Sequence, residues 1–222
     1  MSIRQNLHHY LQLIPEHVKL VAVSKTKPVE DIQEAYDAGQ RVFGENKAQD
    51  LAARQKLLPA DIEWHFIGHM QTNKVKLIAP FVKLIHAVDS LKLLNEINKQ
   101  ATENQRVIDC LLQFHIAEEE TKFGLNYEEA CELLSAESFT KMGNIRITGV
   151  MGMATFTDDT NQVTREFKQL SAIFHQLKSN YFKSQDSFCE ISMGMSDDFQ
   201  IAIQAGSTMV RIGTGIFGSR NY

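Results

Sequence analysis

Eight short runs rich in β-branched residues alternate with longer stretches whose apolar residues recur at helical spacing, from Val18 to the C-terminus. Repeated βα units of this kind make a parallel sheet, because each strand must return to the same end through a crossover. The candidate strands are residues 19–24, 41–44, 63–67, 84–88, 107–115, 146–151, 188–192 and 209–212. Residues 29–38, 91–100, 127–135 and 163–177 read as amphipathic helices between them. Right-handed crossovers joining eight parallel strands close most economically into a (β/α)8 TIM barrel, with residues 4–13 as an extra leading helix. A doubly wound open sheet is the rival arrangement. With no Pro/Gly/Ser-rich linker, repeat or low-complexity tract, residues 1–222 are read as a single α/β domain.

Composition narrows the function classes. The chain is 43% hydrophobic and 23% charged with four prolines, values of an ordinary globular protein. Its formal charge of -4 runs against a dedicated nucleic-acid binder, which carries a basic stripe. The N-terminal residues MSIRQNLHHYLQLIPEHVK lack an apolar signal-peptide core, and no apolar run is long enough to span a membrane, so a cytoplasmic protein is expected. Cys110, Cys131 and Cys189 show no CxxC spacing and are read as buried, reduced thiols.

In a TIM barrel the chemistry sits where the strands run out at their C-terminal ends. On the first strand Val21, Val23 and Lys25 share one face; if that face points inward, Lys25 emerges in the barrel mouth. A lysine amine can form a Schiff base when apolar surroundings and a second cation discourage its protonation, and Lys27 is the candidate cation. The eighth strand ends in the Gly/Thr-rich run Arg211-Ile-Gly-Thr-Gly, where Gly213 and Gly215 let backbone N–H groups approach a phosphate and Thr214 adds a hydroxyl. The seventh ends in Met193-Gly-Met-Ser-Asp-Asp, whose Ser196 can cap a helix beginning near Asp197, present its hydroxyl to the same phosphate, or both. Arg211 lies between apolar neighbours and needs an anion: a ligand group, or a carboxylate such as Glu45 or Glu190. Asn46 is a helix cap or a ligand contact. A reactive lysine beside a phosphate cradle suits an aldehyde bearing a phosphate. Pyridoxal phosphate and a phosphosugar held by a class I aldolase both meet that description. His65 and His69 have no helix to align them and are not read as metal ligands. Met151, Met153, Met193 and Met195 are read as core filling or as a lining for a flat ring.

The segments VAVSKTKP (21–28), FGEN (43–46), WHFIGHMQTNK (64–74) and SMGMSDDFQIAIQAGSTMVRIGTGIFG (192–218) resemble, in that order, the pyridoxal phosphate homeostasis protein family. The barrel of that family is similar to the N-terminal domain of alanine racemase, and the resemblance spans nearly the whole chain. It implies that Lys25 carries pyridoxal 5'-phosphate as a Schiff base, that Ser196, Gly213 and Thr214 surround the phosphate, and that Arg211 faces the ring nitrogen. It also implies a carrier that binds, buffers and hands on the cofactor to apoenzymes that use it, with little or no catalysis. A racemase using the same lysine is the alternative; the relatives that racemise take a second acid/base tyrosine from a separate β-domain, which this sequence lacks. A monomer is therefore expected. Two departures stand out. Lys47 follows Asn46 where the family motif often has tyrosine, and Phe123 enters the segment from Glu118 to Leu125 at a usually small position.

Overall fold

The computed structural model describes residues 2–119 and 123–218. Its strands are β1 (Lys19–Val23), β2 (Val42–Glu45), β3 (Glu63–Phe66), β4 (Leu84–Val88), β5 (Ile108–Phe114), β6 (Ile145–Gly152), β7 (Glu190–Ser192) and β8 (Met209–Ile212). Neighbours pair in parallel around the ring, and β8 returns to β1 with Lys19 opposite Met209 and Ala22 opposite Ile212, so the sheet is a closed barrel. The open-sheet rival is excluded. The helices are α1 (Ile3–Leu13), α2 (Val29–Asp37), α3 (Ala48–Arg54), α4 (Val75–Ile78), α5 (Leu91–Glu103), α6 (Tyr127–Ser135), α7 (Glu137–Thr140), α8 (Thr160–Asn180), α9 (Phe199–Gln204) and α10 (Thr214–Phe217). Among the described residues no helix is long and apolar enough to cross a membrane.

The two-residue strand period sorts the side chains into two layers. Leu20, Ala22, Val210 and Ile212 face outward into a continuous layer between strands and helices. Val21, Leu84, Ala87, Leu111, Met151 and Met209 form a much smaller cluster inside the barrel. The outer layer holds most of the large apolar side chains, each contributing about 1.5–3 kcal/mol on burial. Because that layer stabilises the barrel, the interior can carry polar groups: His65, His86, Ser192 and Arg211 are all buried.

Three local differences from the sequence expectation have physical causes. β7 begins at Glu190 because Phe188 leaves the sheet to stack between Phe182 and Phe174, with ring centroids 4.2 and 4.9 Å away. The helix after β7 begins at Phe199, two residues later than expected. Cys110 is buried and burial pushes its thiol up, but Cys189 is exposed, so the expected set of sheltered thiols is incomplete.

The leading helix α1 starts with a capping box, in which the Ser2 hydroxyl accepts from Gln5 N and the Gln5 side chain accepts from Ser2 N. It is docked on the far end of the chain: Asn6 Nδ2 donates to Ile216 O at 3.0 Å. A Cβ on Gly215 would lie 2.0 Å from the Tyr10 hydroxyl, so glycine is what lets α1 sit against the turn after β8.

Candidate functional site

β1 leads into a turn closed by a hydrogen bond from Lys27 N to Ser24 O at 3.1 Å, with Lys25 and Thr26 at its corners. Thr26 has φ +65°, a left-handed conformation that glycine or asparagine normally supplies at this place in a turn. For a β-branched residue that conformation costs about 1–3 kcal/mol and persists only where the surroundings impose it. Arg54, the last residue of α3, does the imposing from below. Its Nη1 donates to Ser24 O at 3.0 Å and its Nη2 to Lys27 O at 2.5 Å. The same guanidinium pairs with Glu45, which is buried at the end of β2 and also accepts the Ser24 hydroxyl at 2.5 Å. Burial pushes the Glu45 carboxyl up, against the opposing pull of Arg54 and Ser24. On the other side Lys27 Nζ donates to Phe217 O at 2.8 Å and Gly218 O at 3.1 Å. Lys27 is thus tied to the end of α10 while still lining the same cleft as Lys25.

That cleft, about 260 Å³ in volume, opens at the C-terminal strand ends and is lined by Lys25, Asn46, Ser196, Arg211, Gly213 and Thr214; Gly215, also singled out from the sequence, is not in its lining and gives its N–H to Ser196. They come from the exits of β1, β2, β7 and β8. Lys25, Lys27 and Arg211 line it against one carboxylate, Asp197, so the cleft favours an anion. Met153, Met195 and the 85% exposed Phe156 form an apolar rim, whereas Met151 and Met193 are buried in the core. The methionines therefore divide between both expected roles.

Neither capping alternative holds. α3 starts after Lys47 without a side-chain cap, and the Asn46 Oδ1 is buried with no hydrogen-bond partner. A Cβ on Gly68 would fall 2.3 Å from Asn46 O, so glycine there makes room for Asn46. α9 also lacks a side-chain cap; the Ser196 hydroxyl instead accepts from Gly215 N at 3.4 Å, bridging the turns after β7 and β8. A hydroxyl that accepts this bond keeps its own proton to donate.

Arg211 is only 4% exposed, and its hydrogen-bond partners are neutral. Nη1 donates to Ser192 O at 2.9 Å and Ser192 Oγ at 2.7 Å, and Nη2 to Gly152 O at 3.2 Å. The carboxylates considered as its partners are engaged elsewhere, Glu45 with Arg54 and Glu190 with Lys19. Burial lowers Arg211 to about 10, which leaves it cationic at neutral pH. Asp198 offsets part of that burial effect through space, but the hydrogen-bond partners of Arg211 are neutral; a buried guanidinium so placed and a buried acceptor without a donor both favour a bound group that completes them.

Behind Arg211 runs a chain of contacts that sequence reasoning missed. Ser192 Oγ lies 3.0 Å from His86 Nδ1, and His86 Nε2 lies 3.0 Å from His65 Nδ1. Ser192 accepts from Arg211 and keeps a proton that it can donate to His86 Nδ1; in that tautomer His86 Nε2 donates to His65 Nδ1 and both rings are neutral. His69, by contrast, is exposed outside the cleft, stacked on Phe123 with centroids 4.4 Å apart and 3.6 Å from Asp89.

A larger hollow of about 590 Å³ borders Phe123 and Gly124. Asp89, Glu129 and Glu132 line it, the wrong charge for an anion. Lys122, in the segment with the inserted aromatic, lies outside the described residues.

Comparison with known proteins agrees with this architecture. The family model for the alanine racemase N-terminal domain matches residues 1–221. The chain is 41% identical to the pyridoxal phosphate homeostasis protein of Pasteurella multocida, covering 100% of this chain and 96% of that protein. It is 39% identical to the protein of the same name from Escherichia coli strain K12, covering 94% and 88%. The structure of PipY from Synechococcus elongatus with pyridoxal phosphate bound superposes with a TM-score of 0.88 at 32% identity, covering 98% of this chain and 100% of that one. Alanine racemase from E. faecalis shares the fold, with a TM-score of 0.73 at 16% identity over 98% of this chain and 57% of that one. The chain belongs to the alanine racemase N-terminal domain family and, within it, to the pyridoxal phosphate homeostasis proteins.

Proposed function

We propose that the cleft binds pyridoxal 5'-phosphate through Lys25, Asn46, Ser196, Arg211, Gly213 and Thr214, and that the protein is a carrier of this cofactor with little or no catalysis. The reading rests on one observation above the others: six side chains and turns from four strand exits meet in a single cleft of net positive charge. When bound, the cofactor supplies an aldehyde that an amine can capture and a ring that can accept electrons. Lys25 is the amine for that aldehyde. Ser196 and Thr214 offer hydroxyls, and Gly213 an unencumbered backbone, to the phosphate. Asn46 gains a donor for its buried oxygen. Arg211 holds its own proton at neutral pH, so it meets a ring nitrogen as a fixed cation and weakens the ring as an electron sink.

That choice of cation separates a carrier from a racemase. Racemisation needs an acid/base group on each face of the reacting carbon. Lys25 provides one, and among the described residues lining the cleft there is no tyrosine to provide the other. On this reading the protein is a cytoplasmic monomer that passes the cofactor to apoenzymes by transient contact.

Titration of the purified protein with pyridoxal phosphate, followed by its visible absorption, tests the cradle. Replacing Ser196 by Ala and Thr214 by Val together is expected to weaken binding about 100- to 10,000-fold, the loss of two hydrogen bonds to a charged group. Unchanged affinity would overturn the phosphate assignment. Rapid formation of D-alanine from L-alanine by the loaded protein would overturn the carrier reading in favour of the racemase.

A further inference from the structure

From the geometry around the turn after β1 we infer that Arg54 is a positioning residue for Lys25, clamping the carbonyls on either side of it so that the amine is delivered into the cleft. The inference rests on the reading of Lys25 as the amine that captures the cofactor aldehyde. Lys25 and Thr26 are the two residues between the carbonyls of Ser24 and Lys27, and both carbonyls accept from the one guanidinium, at 3.0 and 2.5 Å. The clamp is anchored at both ends. Arg54 belongs to α3, whose Ala48 and Leu51 are buried against the core, and its charge is matched by Glu45 on β2. Glu45 in turn holds the Ser24 hydroxyl, so the turn, the helix and the strand form one unit.

The held conformation is not the one the sequence favours. Thr26 at φ +65° is out of place for a β-branched residue, and without the clamp the turn relaxes to a shape in which Thr26 has negative φ. Such a change at the neighbouring residue redirects the Lys25 side chain. The planar fork of arginine can reach two carbonyls and a carboxylate at once; a lysine, with a single nitrogen, keeps the charge beside Glu45 but cannot span both carbonyls. Neither Arg54 nor Glu45 lines the cleft, so the device acts only through the turn.

Arg54→Lys therefore separates positioning from binding. The measured step is capture of pyridoxal phosphate by the apoprotein. The Lys25 nitrogen forms a double bond to the aldehyde carbon, and the aldehyde oxygen leaves as water with the two nitrogen protons. Its rate, read by stopped-flow absorbance, is expected to fall about 10- to 100-fold in the variant, the usual effect of misplacing a reacting group by about an ångström. Affinity for pyridoxine 5'-phosphate, which has the same ring and phosphate but no aldehyde, is expected to stay within about twofold of the parent. Adding Thr26→Gly to Arg54→Lys is expected to recover most of the rate, because glycine adopts positive φ without a clamp. A capture rate equal to the parent's, or equal loss of affinity for both ligands, overturns the inference. If Arg54→Lys unfolds, Thr26→Gly in the parent decides. Capture that keeps its rate, with the loop's amide exchange unchanged, supports the clamp, and a large slowing contradicts it. Failure of the parent itself to capture the aldehyde overturns the reading of the cleft and this inference together, whereas normal capture by both proteins overturns the inference alone.

Discussion

Lowering the pH from 6.5 to 4.5 is expected to remove about 2 kcal/mol of folding stability through His65, with a further loss through its neighbour His86. His65 and His86 are buried in the barrel interior with both rings neutral. Burial takes His65 from 6.5 to about 3, with Lys19 and Lys83 adding to the effect. Burial also takes His86 well below 6.5, helped by His65, Arg211 and Lys19. In the unfolded chain both rings protonate near 6.5. Below that pH the unfolded state binds two protons that the folded state refuses. The stability they contribute is therefore complete above pH 6.5 and drains away as the pH falls toward the folded values, at about 1.4 kcal/mol per unit for each ring that stays neutral.

Even about 2 kcal/mol is a large share of the stability of a typical domain, about 5–15 kcal/mol. Urea denaturation at a series of pH values checks it. Replacing both histidines by leucine should flatten the curve in this window, because most carboxylates titrate below it. A parent protein whose stability is level between pH 6.5 and 4.5 would contradict the buried neutral pair. The pair also matters to the site, since Ser192 links it to the guanidinium of Arg211.

The second large effect is expected from Gly149→Ala. A Cβ at this position in β6 would lie 1.8 Å from Glu190 O, 2.6 Å from Glu190 C and 2.9 Å from its Cα. The obstacle is backbone of the adjacent strand, which no rotamer change can move aside. β7 contains three residues and must shift as a whole, carrying Ser192 away from Arg211 and His86. A loss of about 3 kcal/mol is expected, as for severe overpacking. In a chain of this size that lowers Tm by about 6–12 °C. Gly143→Ala is the matched control, because nothing lies within 4 Å of its Cβ position. Equal melting temperatures for the two variants would show that β6 and β7 part more easily than their packing suggests.

The barrel was legible because its signal is local. Alternation along Met209-Val-Arg-Ile assigns Met209 and Arg211 to one face and Val210 and Ile212 to the other, and the two faces do separate into interior and outer layer. Lys25, Gly213 and Thr214 were legible for the same reason, since a strand end fixes where the next residue emerges. Helix starts were less so: the roles of Asn46 and Ser196 as caps depended on where α3 and α9 begin, and α3 begins one residue and α9 two residues later than capping would require.

What lay hidden depends on closure of the ring. His65 and His86 stand on adjacent strands 21 residues apart, and their contact follows from the register of β3 and β4, which no spacing rule announces. Arg54 is separated from Glu45 by a helix and from Lys25 by a strand pair, so its part in shaping the turn appears only once β1, β2 and α3 are assembled. Thr26 in a left-handed conformation contradicts its own propensity, and strain of that kind cannot be read from a residue name.

The account stands most directly on the identity of the lysine that holds the cofactor. The protein should be loaded with pyridoxal phosphate, reduced with borohydride and digested, and the modified peptide located by mass. The visible band is expected to disappear on reduction, with the label on Lys25 alone and none incorporated by Lys25→Ala. A label on Lys27 or any other lysine, or unchanged cofactor absorption in Lys25→Ala, would contradict it.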